Sequence, residues 1–85
     1  MKLQVNEKHL NHEVSQELGY FKTHEGSSFK GVLYHLISKA DRANLHKLAL
    51  GFPLEVVAWF YFMDDMKRLE SFGYEIELTG GNDNE

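Results

Sequence analysis

Hydrophobic positions recur along this chain with two different spacings. In KLQV at 2–5, polar and apolar residues alternate, which puts Leu3 and Val5 on one side. YEIEL at 74–78 repeats the pattern with Tyr74, Ile76 and Leu78. A period of two is that of a strand, and two short strands at opposite ends of a chain can pair and tie its termini together. Between them the spacing is helical. Leu10, Val14 and Leu18 follow Asn6, a good helix cap, and predict a helix over 7–18 that ends at Gly19. His9, His12, Glu13 and Glu17 fall mostly off that stripe. Residues 22–28, KTHEGSS, read as a loop. Ser28 or Ser27 then caps a helix over 29–40, in which Phe29, Val32, Leu33, Leu36, Ile37 and Ala40 keep the helical period. Asp41 caps a short helix over 42–50 with Leu45, Leu48 and Ala49 on its buried side, and Gly51 is expected to stop it in the left-handed conformation. Pro53 suits the first position of a helix, where its missing N–H costs nothing. That helix is expected to run over 53–71 and to close at Gly73. The pattern predicts a mainly α-helical single domain over residues 1–79, a compact bundle of about four helices, with the short two-stranded pairing of the termini as an addition. Residues 80–85 read as a flexible acidic tail.

One stretch breaks the periodicity. VVAWFYFM at 56–63 is apolar at eight consecutive positions. A surface helix needs an apolar stripe rather than an apolar sleeve, so this helix is either central or has one flank against a partner. Trp59, Phe60, Tyr61 and Phe62 are the candidate interface, since aromatic side chains offer large contact area, and Trp and Tyr add a polar tip.

Charge sharpens the choice of partner. The net charge is −4. Residues 1–68 hold nine basic and eight acidic side chains, whereas residues 69–85 hold five acidic and no basic ones. An acidic end repels phosphate backbones, which disfavours nucleic acid and favours a basic protein surface. Asp64, Asp65, Glu75 and Glu77 therefore join the aromatic residues as candidate interface positions. The chain has no cysteine, which excludes disulfides and thiolate metal sites. The N-terminal stretch lacks the apolar core of a secretion signal, and no segment reaches the roughly 20 apolar residues of a membrane span. A cytoplasmic location and no membrane partner are expected.

Candidate chemistry is sparse. His9 and His12 are spaced to share a helix face, and Glu13 adjoins them, so the three are the best available metal ligands. Their order matches neither HExxH nor its inverse, and solvated histidines explain them more simply. His35 and His46 are spaced to meet at a helix junction. THEGSS at 23–28 has the residue types of a catalytic triad, but helix capping explains its serines better. Asp64 and Asp65 precede Lys67 and Arg68, so helical ion pairs account for them. No cofactor is implied.

The segment LYHLISKADRANLHKLALGFPLEV at 33–57 carries Lys39, Ala40, Asp41, Asn44, Lys47, Leu48, Phe52 and Pro53 in an order that resembles small uncharacterised helical proteins encoded by bacteriophages and prophages. The likeness covers under a third of the chain and concerns a turn and a helix start. It implies a small accessory protein of phage origin, in the host cytoplasm, with no substrate. The leading expectation is thus a non-enzymatic protein-interaction module that self-associates or binds and modulates a host protein. One alternative is a nucleic-acid-binding regulator using the helices at 29–50, with Lys30, Lys39, Arg42 and Lys47 on phosphates. Another is a metal-dependent enzyme.

Overall fold

The computed structural model describes residues 1–18 and 28–80. The expected stop at Gly19, most of the loop at 22–28 and the tail beyond Gly80 lie outside the described residues. The chain begins with strand β1 (Lys2–Asn6), then helix α1 (Glu7–His12), which continues as a π-helical segment (Glu13–Leu18). Helices α2 (Phe29–Lys39), α3 (Arg42–Gly51), α4 (Pro53–Phe62) and α5 (Met66–Ser71) follow, and strand β2 (Glu75–Thr79) ends the fold.

The caps fall where the residue types require. The Asn6 side chain accepts from the His9 N–H, Ser28 from Gly31 and Asp41 from Asn44. Each satisfies a helix-start N–H that has no partner within its own helix. Pro53 opens α4 without a side-chain cap. The two strands form a parallel pair, with Leu3 opposite Ile76 and Val5 opposite Leu78. Parallel strands need a long crossover, and here nearly the whole chain supplies it. Leu3 and Val5 are buried, whereas burial fades from Tyr74, just before β2, to Leu78 within it.

Three local expectations are corrected. Helix α3 runs through Gly51, and Phe52 is its C-cap, so Gly51 is not left-handed. The helix expected over 53–71 breaks at 63–65, where Asp64 takes a φ of 55°. Two successive aspartates are poor helix formers because their side chains compete for backbone groups. Glu13, expected off the buried stripe, is 4% exposed. A π turn closed by i→i+5 bonds takes in one more residue than an α turn, so Glu13 and Leu18, five apart, both face inward.

Helix α4 is the hub. It packs against β1, α1, the π segment, α2, α3 and α5. Val56, Val57 and Ala58 are fully enclosed, and the core extends from them to Leu10, Leu33, Tyr34, Ile37, Leu45 and Leu69. No helix among the described residues is long and apolar enough to cross a membrane.

Candidate functional site

The aromatic run divides by orientation. Phe60 is 5% exposed and belongs to the core, so it presents no surface to a partner. Trp59 and Phe62 are half-buried against the core, and Trp59 stacks on Tyr34 with ring centroids 6.2 Å apart. Only Tyr61 of the four is exposed, as is Met63 two positions on. The acidic candidates are spread over two elements. Asp64 and Asp65 sit in the turn after α4, and Asp65 rather than Asp64 lies near Arg68, at 3.8 Å. Glu75 and Glu77 are on β2, where Glu77 accepts from Gln4 Nε2 at 2.7 Å and pairs with Lys2 at 3.2 Å. These contacts hold the Glu77 carboxyl below the usual glutamate range, the Gln4 bond contributing most and Lys2 next.

Exposed large apolar residues also occur singly on other elements, Leu50 of α3 among them, but α2 carries three. Phe29 is 69% exposed, Val32 48% and Leu36 50%. Spacings of three and four put all three on one side of the helix. Leu33, Tyr34 and Ile37, on the adjoining side, are buried. At 100° per residue, the apolar arc of α2 spans roughly 200°, more than the neighbours on one side can cover. That width was present in the sequence as a signal and pointed to a second apolar face. Helix α3 and its C-cap extend the face, because Leu48 and Phe52 are only partly buried and the Phe52 ring lies 6.0 Å from that of Phe29.

Open grooves lie at both ends of this stripe, and they differ in charge. At the C-terminal end, Leu36, Ala40 and Leu48 floor a groove of about 440 Å³ rimmed by Lys39, Lys47 and Asn44. At the N-terminal end, Glu17, Gln16, Ser28, Phe29 and Lys30 line one of about 450 Å³. The Lys30 ammonium there is already engaged. It lies 2.6 Å from Glu13 Oε2 and 3.5 Å from Glu55 Oε2. Burial lowers its pKa, but the Glu13 hydrogen bond and charge, with Glu55 and Glu17, outweigh that and hold it above the ordinary lysine value. Two carboxyl groups thus engage one ammonium at this end, and Glu17 adds a third negative charge at longer range.

Beneath Lys30 the buried Glu13 carboxylate also accepts the Tyr34 hydroxyl. Burial first, and the Glu13 contact second, push the Tyr34 phenol far above its usual pKa. Among the described residues, no buried side-chain polar atom lacks a hydrogen-bond partner. The cluster fixes the π segment to α2 and α4, and so places the Glu17 end of the face.

The metal candidates are not assembled. His9 and His12 are exposed, whereas Glu13 turns inward to Tyr34 and Lys30. Among the described residues, no group of three potential ligands comes together. His35 and His46 are both exposed, and the His46 ring faces Tyr74 at 6.5 Å. Of the THEGSS stretch only Ser28 is described, and it serves as the α2 cap. No protein-family model matches the chain, and no curated protein or solved structure matches it.

Proposed function

We propose that this chain is a non-enzymatic protein-interaction module whose docking face is the exposed stripe of α2, flanked by α3. The observation that carries the reading is the contiguous exposure of Phe29, Val32 and Leu36 on one helix side. Single exposed apolar residues are ordinary, but three on one stripe, continued by Leu48 and Phe52, form a patch of the kind that marks a contact surface. The segment 33–57, which resembles phage-encoded accessory proteins, includes Leu36, Leu48 and Phe52 of this face but not Phe29 or Val32. A partner met in the host cytoplasm fits that resemblance. A nucleic-acid role has less support, because Lys30 is held by Glu13 and Glu55. Lys39, Arg42 and Lys47 remain exposed for such contacts.

The test is site-specific photo-crosslinking in the expressing cell, with a photoreactive residue at position 36 and, as a control, at exposed position 67. A polypeptide adduct is expected at 36, absent at 67 and abolished by Val32→Glu. Equal labelling at the two positions, or none at 36, overturns the reading.

A further inference from the structure

The α2 stripe carries its own complement. It starts at Phe29 beside the groove of Glu17 and Lys30, where Glu13 and Glu55 already engage the lysine and Glu17 leaves an acidic surplus, and ends past Leu36 at the basic groove of Lys39 and Lys47. Its centre lies near Val32, with Phe29 and Leu36 about 10 Å apart along the axis at 1.5 Å per residue. A two-fold axis through that centre would bring Phe29 of one copy against Leu36 of the other, and Val32 against its own equivalent. Along the helix axis, the same rotation sets the Glu17 end of each copy at the Lys39 and Lys47 end of its partner. The acid–base contact then forms twice, once at each end, as an isologous interface requires. A parallel arrangement would place like charges together and is opposed by the same geometry. The helix dipoles also run in opposite senses in the antiparallel pair, a small further gain.

We infer that the occupant of this face is a second copy of the chain, docked with the two α2 helices antiparallel. The inference rests on the docking reading above and adds to it the identity and orientation of the partner. The stripe is short, so the dimer belongs to the weak class that forms in the micromolar-to-millimolar range rather than among obligate dimers.

The experiment is sedimentation equilibrium of the full chain over a dilution series, with circular dichroism of every variant to check folding. The mass is expected to rise from 9.9 kDa toward twice that value as concentration increases. Leu36→Glu should raise the dissociation constant at least about tenfold. Glu17→Lys alone, and Lys39→Glu with Lys47→Glu, should each weaken self-association at least about tenfold, because like charges then face each other. Mixing these two charge-reversed variants should restore association, since both contacts are again of opposite sign. A wild-type mass that stays at one chain up to about 1 mM overturns the dimer, as does a dimer indifferent to Leu36→Glu. Failure of the mixture to recover overturns the antiparallel orientation. Crosslinking at position 36 separates the two levels. An adduct with a different protein and none with a second copy removes the dimer but leaves the docking face, whereas no adduct at all removes both.

Discussion

Tyr34 donates its phenol hydrogen to Oε2 of Glu13, although the two residues stand 21 apart in sequence. That oxygen also accepts Lys30 Nζ at 2.6 Å, so one buried carboxylate joins the π segment to two successive turns of α2. Removing one partner leaves the other groups buried without a full set of bonds, which costs more than the bond itself contributes. Tyr34→Phe should therefore destabilise the fold by about 1–2 kcal/mol, and Glu13→Ala by about 2–4 kcal/mol. Urea unfolding of both single variants and the double variant checks this. Strict additivity would show that the two side chains are not coupled.

Alkaline pH should weaken the fold for the same reason. The Tyr34 phenol is raised by burial and by Glu13, and Tyr74 is raised by burial despite the opposing Arg42 charge. Lys30 is also held above its ordinary value. All three keep their protons in the folded state at a pH where the unfolded chain releases them. Their contribution is fully present below about pH 10 and is lost as pH rises through the folded-state values. For the fully buried Tyr34 the slope is at most about 1.4 kcal/mol per pH unit. Unfolding free energies from pH 8 to 11 should stay level and then fall, and Tyr34→Phe should flatten the fall. Glu77 acts at the other end. Its depressed carboxyl pKa makes a small, salt-sensitive contribution above the ordinary glutamate range, lost as pH drops through its folded value.

Neighbours in the aromatic run should behave very differently. Phe60→Ala removes an enclosed ring from α4 and should cost about 3–5 kcal/mol. Tyr61→Ala, at a half-exposed position, should change stability by less than about 0.5 kcal/mol. Trp59→Ala should fall between them, since its ring is half-buried and stacked on Tyr34. Thermal melts of the three variants give the order directly, and equal losses would contradict the orientation of α4.

Two backbone positions offer a cleaner test of local geometry. A Cβ at Gly51 would meet nothing within 4 Å, and the residue is helical. Gly51→Ala should thus stabilise by about 0.5–1 kcal/mol through reduced unfolded-state entropy. Asp64 has a φ of 55°, where a β-branched residue is strained. Asp64→Val should be less stable than Asp64→Gly by about 1–2 kcal/mol in chemical denaturation. If the valine variant equals the glycine variant, residue 64 does not hold this positive φ in solution.

The helix starts were legible because a cap is a local device. Asn6, Ser28, Asp41 and Pro53 each act on backbone groups within three residues, so no distant part of the chain has to be known. The docking face was only half legible. Phe29, Val32 and Leu36 share the helical period of α2 with Leu33 and Ile37, but periodicity groups residues without saying which of them meet solvent. Glu13 was not legible at all. Its burial depends on a π turn and on two partners in α2, and neither is encoded in the residues next to it.

Strand pairing of the termini, helix boundaries set by caps, and the apolar character of 56–63 follow from the order of residues alone, since each arises from interactions between near neighbours or from a repeating pattern. The parallel sense of the strands, the break at Asp64, the inward turn of Glu13 and the side of each helix left uncovered were decided by packing. A run that is apolar all round carries no direction of its own, and α4 acquired one only when β1, α1 and the π segment closed over it.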